Sequence, residues 1–239
     1  MGALLELAGV RAGYGGGDIL HDIDLTVQEG GLTCIVGPNG AGKSTVLRVV
    51  SGLLRPNRGT VRFHGDSLLG LSPRAILGRG IVQIPQERSL FPTMTVWENV
   101  RLGAYSVRDR RLVERRMETV SQTFPIVTER RGDLAASLSG GQQKIVEFAR
   151  ALMLDPSLLI LDEPSMGLDP KTRSVVFNTI VAMNRAGRTL LLVEQNARSG
   201  LGIASHGVVM ESGRIRLEGP GSELLNNPEI GRLYLGATA

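Results

Sequence analysis

The sequence is poor in cysteine, aromatic residues, lysine and long apolar runs, and each shortage limits what the chain can be. Cys34 is the only cysteine in 239 residues, so an intrachain disulfide is excluded. A lone thiol fits a reducing compartment, and its place inside an apolar run marks it as a small core residue. Aromatic residues make up 4% of the chain, and no basic run carries interleaved aromatics, so the net charge of +4 reads as a solvated, arginine-rich surface. No nucleic-acid partner is expected. No stretch of eighteen apolar residues occurs, and the first residues lack a charged region followed by an apolar one. The expectation is a chain that neither spans a membrane nor carries a secretory signal. What remains is ordinary: 42% hydrophobic and 21% charged residues, in a length that allows one large domain or a core with a subdomain.

The lysine shortage is the most informative. Of 27 basic residues only Lys43, Lys144 and Lys171 are lysine, and Lys43 stands in a glycine-rich stretch. Residues 37–45 read Gly37-Pro38-Asn39-Gly40-Ala41-Gly42-Lys43-Ser44-Thr45, matching G-x-x-x-x-G-K-[ST]. An apolar run at 32–36 reads as a buried strand before it, and residues 46–50 read as a helix after it. That order suits a phosphate chain. Glycines let backbone N–H groups turn inward, and the helix adds its positive N-terminal end. Lys43 would reach the terminal phosphates as a compact point charge, and the Ser44 hydroxyl would hold Mg²⁺.

Upstream, residues 4–10 and 19–27 read as strands, with apolar alternation clear from Ile23 onward. Between them Tyr14 lies amid Gly13, Gly15, Gly16 and Gly17. With little local side chain to pack against, it can offer its face to a flat ring such as adenine, or pack as a surface hairpin tyrosine. Downstream, 60–63 predicts a strand, 73–77 a helix and 81–84 another buried strand. That strand ends in Pro85-Gln86-Glu87. At the carboxyl edge of an open α/β sheet, Gln86 could contact Mg²⁺ or an attacking water.

From 101 to 133 the composition shifts to eight arginines against five acidic residues, without strand-like alternation. Residues 95–104 and 111–124 read as helices; Leu112, Val113, Met117 and Val120 give the second an apolar stripe. A helical subdomain is placed at 88–156, inserted into an α/β core of 1–87 and 157–239. Within it Leu138-Ser139-Gly140-Gly141-Gln142 opens a helix at 142–154. Ser139 is a good N-cap, and Gly140 and Gly141 leave helix N–H groups open to an anion.

Four apolar residues at 158–161 then end in Asp162 and Glu163. A core strand with two carboxylates at its end suits Mg²⁺ positioning by Asp162, and orientation or deprotonation of water by Glu163. Residues 171–184 read as a helix and 189–193 as a strand ending in Glu194-Gln195-Asn196. Strands at 208–210 and 215–217 flank a Ser212-Gly213 hairpin, and 228–235 reads as a short helix.

With these motifs in place the chain resembles an ABC-type ATPase subunit over nearly its whole length. Tyr14 matches the adenine-stacking tyrosine, residues 37–45 the Walker A loop and Gln86 the Q-loop. Ser139, Gly140, Gly141 and Gln142 belong to a complete LSGGQ signature. Residues 158–162 match Walker B, Glu163 the catalytic glutamate and 165–169 the D-loop. The resemblance implies a P-loop α/β fold with a mostly parallel core sheet, an N-terminal antiparallel β part and the inserted helical subdomain. ATP and Mg²⁺ are the implied cofactors. Partners would be a second copy or a similar ATPase subunit, transmembrane permease subunits, and indirectly a solute-binding protein, at the cytoplasmic side of a membrane.

Two departures stand out. Gln195 occupies the position where the family usually has a histidine, and Met166 replaces a smaller D-loop residue. The Leu192-Val193-Glu194-Gln195-Asn196 run, the stretch from Phe91 to Val96 followed by Glu98 and Asn99, and Tyr234-Leu235-Gly236 resemble ATPases of branched-chain amino-acid importers. Urea or amide importers and a lipopolysaccharide-export ATPase are the nearest alternatives; the latter keeps the histidine. A soluble relative acting on nucleic acid or translation would carry tandem cassettes or coiled coils, and here the motif set occurs once.

Overall fold

The computed structural model describes residues 2–230, so the last part of the 228–235 helix and the Tyr234-Leu235-Gly236 ending lie outside the described residues. The chain runs β1 (Ala3–Ala12), β2 (Leu20–Gln28), β3 (Leu32–Val36), α1 (Lys43–Val50), β4 (Arg58–Phe63), β5 (Asp66–Ser67), α2 (Pro73–Gly78) and β6 (Ile81–Ile84). A helical stretch follows: α3 (Val96–Leu102), α4 (Arg110–Thr123), α5 (Ile126–Glu129) and α6 (Gly140–Leu152). The chain then returns through β7 (Leu158–Asp162), α7 (Pro170–Arg185), β8 (Thr189–Glu194), α8 (Ala197–Leu201), β9 (His206–Glu211), β10 (Arg214–Gly219) and α9 (Gly221–Leu225).

Two sheets result. The smaller has the order β2-β1-β4-β5 and is antiparallel throughout. The larger has the order β10-β9-β3-β8-β7-β6, parallel from β9 to β6, with β10 antiparallel at one edge. Every residue of β3, β7 and β8 is buried, as expected for strands covered on both faces. Their side chains alternate between two cores. Cys34, Val36, Leu159, Leu161, Leu190 and Leu192 pack with the helices, including α3, α4, α6 and α7. Ile35, Ile160, Leu191 and Val193 pack with α1 and the antiparallel sheet. Cys34 is fully buried and burial pushes its thiol pKa well up, so it is the inert core residue expected.

Strands and most helices fall within a few residues of the sequence reading, while α1 and α6 start earlier than it placed them. α6 and α7 begin at Gly140 and Pro170, nearer their caps than hydrophobic periodicity indicated. Asp169 caps α7 by accepting the N–H groups of Lys171 and Thr172 at 3.0 and 3.1 Å. Pro170 fits the first helical position because no N–H is needed there. The short elements β5, α5, α8 and α9 are too brief to show a period. Among the described residues no helix is long and apolar enough to cross a membrane.

One consequence of this topology matters most. β3, β8, β7 and β6 are parallel neighbours, so the segments that follow them emerge on one edge. The glycine loop follows β3, Gln195 follows β8, Glu163 follows β7 and Gln86 follows β6. Open parallel sheets bind ligands at that carboxyl edge.

Candidate functional site

The glycine loop is shaped by backbone constraints before any ligand is considered. Gly42, immediately before α1, has φ +99°, and a Cβ there would lie 2.9 Å from the Leu20 side chain. Only glycine suits that position. Within the loop the Ala41 N–H donates to Pro38 O at 3.2 Å, while Ala41 O accepts from Gly213 N at 3.0 Å. Lys43 is buried, and its Nζ donates to Gly37 O at 2.8 Å and Pro38 O at 3.1 Å. Its ammonium also stands 3.4 Å from Glu163 Oε1. Pro38, Asn39, Gly40 and Ser44 are exposed, so the loop's outer surface is open, whereas Thr45 is buried.

Glu163 sits at the centre. It is 8% exposed, and φ +44° places a non-glycine residue in the left-handed region, at a cost of about 1–2 kcal/mol. Its N–H is held by Val193 O at 2.9 Å. Its carboxylate faces Lys43 through Oε1 and accepts from Gln86 Nε2 at 3.3 Å through Oε2. Gln86, read from the sequence as a contact for Mg²⁺ or an attacking water, here lies against the Glu163 carboxylate.

Asp162 is 9% exposed, and its Oδ1 is buried without a hydrogen-bond partner. Burial raises its pKa and Glu163 adds to the rise, while Lys43, Arg48 and Lys144 oppose it. A buried, unsatisfied carboxylate oxygen at the end of β7 and an exposed serine hydroxyl in the first turn of α1 are oxygen donors of the kind that fit a hard divalent cation.

A groove of about 540 Å³ continues from Glu163 past Ser165, Met166 and Gly167 to Glu194, Gln195 and Asn196. Gln195 is exposed on this groove, with Glu163 on the same wall. Glu194 was not singled out by sequence reasoning, because an acidic residue at a strand end looks like a surface group. It is 2% exposed and its Oε1 accepts the Ser165 N–H at 3.2 Å, tying the segment after β7 to the end of β8. Burial pushes its pKa up to about 7, against the lowering hydrogen bonds from Ser165.

That shift has a defined sign. Below the ordinary value of 4.5 folded and unfolded chains both carry the proton; between there and about 7 only the folded chain does. Stability is therefore lost as pH rises across that window, by about 3 kcal/mol at most. Glu194→Gln is expected to flatten the urea-unfolding midpoint between pH 4.5 and 7. An unchanged pH dependence in that variant would place the titrating group elsewhere.

The Ser139 stretch lies at the start of α6. The Ser139 side chain accepts from Gln142 N, and Gln142 Oε1 accepts from Ser139 N at 3.0 Å, completing a capping box. Gly141 also has a packing cause. A Cβ on Gly141 would meet the Thr172 side chain at 2.1 Å, so glycine is what lets α6 approach α7. Residues 139–142 do not line the groove beside Glu163.

Tyr14 has little local side chain to pack against, and its contact comes from a distant segment. Its hydroxyl accepts from the Arg48 guanidinium at 2.9 Å, and the same guanidinium lies over its ring at 5.5 Å from the centroid. Sequence reasoning also missed a buried cluster behind Gln86. Glu147 is 1% exposed; it accepts from Ser89 N at 2.6 Å and Ser89 Oγ at 2.9 Å, and pairs with Lys144 Nζ at 2.6 Å. Arg150 donates to Ser89 O at 2.7 Å. The signal available was the E-x-x-R and K-x-x-E spacing along α6, which places these groups on adjacent turns.

A phosphate-loop strand and helix, with paired carboxylates and amides gathered on one edge of a parallel sheet, define a P-loop ATPase. Comparison with known proteins narrows the class. A family model described as ABC transporter matches residues 20–166. The high-affinity branched-chain amino acid transport ATP-binding protein BraG of Pseudomonas aeruginosa is 38% identical, over 98% of this chain and 100% of its own length. Among solved structures, the ADP conformation of an ATP-binding cassette of an ABC transporter superposes with TM-score 0.89 at 28% identity, covering 99% of this chain and 100% of the other. A dimeric cassette in a post-hydrolysis state, bound to ADP and phosphate, gives TM-score 0.78 at 25% identity over 91% of this chain and 98% of its own. The chain belongs to the ABC transporter family, as a subunit that binds and hydrolyses ATP.

Proposed function

We propose that this subunit powers uptake of branched-chain amino acids, and that it hydrolyses ATP at the edge built by Lys43, Gln86, Asp162, Glu163 and Gln195. The observation that carries the site assignment is the placement of the Glu163 carboxylate between Lys43 and Gln86. The solute rests on the likeness to BraG.

In this reading the triphosphate lies along residues 37–45, with backbone N–H groups and Lys43 neutralising charge. Ser44, Asp162 and Gln86 would hold Mg²⁺, which supplies positive charge to the terminal phosphate oxygens when bound. Glu163 takes the proton of the attacking water. Gln195 can donate or accept a hydrogen bond at the γ-phosphate end of the groove but cannot take a charge near neutral pH. Tyr14 stacks on the adenine.

Ser139, Gly140, Gly141 and Gln142 serve a second subunit's nucleotide. They lie outside the groove beside Glu163, and a similar cassette is known as a dimer with ADP and phosphate. ATP bridging the two subunits stabilises the closed pair by the affinity it has for that state alone, and hydrolysis removes the bridge. The helical subdomain at 88–156 would carry closure to permease subunits at the cytoplasmic face of a membrane, with a solute-binding protein delivering the amino acid beyond them.

The test is ATP turnover by the purified protein, alone and reconstituted with the permease subunits and solute-binding protein, together with leucine uptake into the vesicles. Turnover that rises with leucine-loaded binding protein is the expected result. Turnover stimulated by nucleic acid instead, or none in any state, would overturn the proposal.

A further inference from the structure

We propose that Arg48 is a positioning residue that sets the Tyr14 ring for the nucleobase and fixes its distance from the phosphate loop. The proposal rests on the reading of Tyr14 as the base-stacking residue.

Tyr14 lies between β1 and β2, flanked by Gly13, Gly15, Gly16 and Gly17. Two of these, Gly15 and Gly17, have φ of +89° and +126°. A segment of that kind supplies no neighbouring side chain to hold an aromatic ring, and Tyr14 is 51% exposed. What holds it comes from α1. The Arg48 guanidinium donates to the phenol oxygen at 2.9 Å and covers the ring at 5.5 Å from its centroid. Both contacts act on one residue, and they fix different things. The hydrogen bond fixes where the hydroxyl end lies, and the cation over the π-face fixes the ring's tilt.

Arg48 belongs to the same short helix as Lys43, whose first turn closes the phosphate loop. An α-helix is stiff, rising 1.5 Å per residue. A ring clamped to residue 48 therefore stands at a set distance from a phosphate chain bound at residue 43. Without the clamp, the base would have to order the Tyr14 ring at its own expense. Ordering one side chain on binding weakens affinity ~2- to 10-fold. The clamp also gives a reason for an arginine on the exposed side of α1, since one guanidinium nitrogen can hydrogen bond the phenol while the delocalised cation faces the ring.

The experiment measures KM and kcat for ATP in Arg48→Ala, Tyr14→Ala and the double variant, with inhibition by inorganic tripolyphosphate as a base-free probe. Arg48 is exposed, and a thermal melt checks that each variant is folded. Arg48→Ala is expected to raise KM for ATP ~2- to 10-fold with kcat unchanged, and to leave tripolyphosphate inhibition unchanged. In the Tyr14→Ala background the same substitution should do nothing more. An equal loss in both backgrounds, or weakened tripolyphosphate inhibition, would show that Arg48 acts on phosphates and overturn the proposal. A raised KM for Tyr14→Ala with none for Arg48→Ala would overturn it while sparing the base-stacking reading. No effect of Tyr14→Ala would remove both.

Discussion

Glu163→Gln is expected to lower ATP turnover by about 10²- to 10⁴-fold while leaving ATP bound, the range for loss of a general base. The substitution preserves shape and the approach of Gln86, whose Nε2 lies 3.3 Å from Glu163 Oε2. It removes the negative charge that pairs with Lys43 at 3.4 Å. The proton of the attacking water then has no acceptor, yet the phosphate loop keeps Lys43 and its backbone N–H groups. Freed of its ion pair, Lys43 should hold nucleotide at least as tightly as before. If ATP clamps two subunits, the variant should also accumulate as a dimer in MgATP, seen by size-exclusion chromatography with light scattering. Single-turnover hydrolysis checks the chemistry directly. Turnover within twofold of wild type would remove Glu163 from its role. A monomer with ATP bound would leave the chemistry intact and remove the clamp.

The ion pair itself needs a physical account. Lys43 and Glu163 are both buried, on segments that follow β3 and β7, with β8 between them in the sheet. Two buried charges of opposite sign compensate each other's desolvation only when close. A nucleotide's terminal phosphates would compete for Lys43 and release Glu163 towards water. The exchange requires no movement of the sheet, because Lys43 is also held by Gly37 O and Pro38 O at 2.8 and 3.1 Å. The strained backbone at Glu163 fits the same picture, since the left-handed turn at φ +44° is what directs a side chain following β7 back towards the glycine loop.

The core of this arrangement was legible in the sequence because it depends on short-range rules. Strands β3, β6, β7 and β8 are mostly apolar, and glycine, an amide or a carboxylate stands at or just after the end of each, so both the strands and the edge they share could be read. The helix cap at Ser139 was equally local. What escaped the sequence depends on contacts between distant segments. Gly141 is glycine because Thr172 of α7 lies against it, a contact across thirty-one positions. Glu194 is a buried acid because the segment after β7 folds over it. Arg48 meets Tyr14 across thirty-four positions. Arg150 departs from the solvated, arginine-rich surface read from composition: it is half-buried, burial lowers its pKa and Glu147 opposes the shift.

Glu147→Ala is expected to destabilise the protein by about 3–5 kcal/mol, the cost of stranding a buried charge. Lys144 is 7% exposed, and without Glu147 its ammonium keeps, among the described residues, Pro85 O at 3.5 Å. The Ser89 N–H and hydroxyl lose their acceptor at the same time. For a chain of this length the melting point should fall by about 10 °C. A cost of that origin can be told from a simple cavity. Replacing the pair together, as Lys144→Met with Glu147→Leu, should recover much of the stability, because a buried ion pair exchanged for apolar side chains is often neutral or better. Function should not recover with it. Ser89 lies three residues beyond Gln86, and Glu147 and Arg150 fasten it to α6, whose first turn is the Ser139 capping box. The cluster thus joins the amide that touches Glu163 to the helix that begins with Ser139. The double variant is expected to keep basal ATP turnover and lose stimulation by reconstituted membrane partners. Full stimulation in the stabilised double variant would reduce the cluster to packing alone.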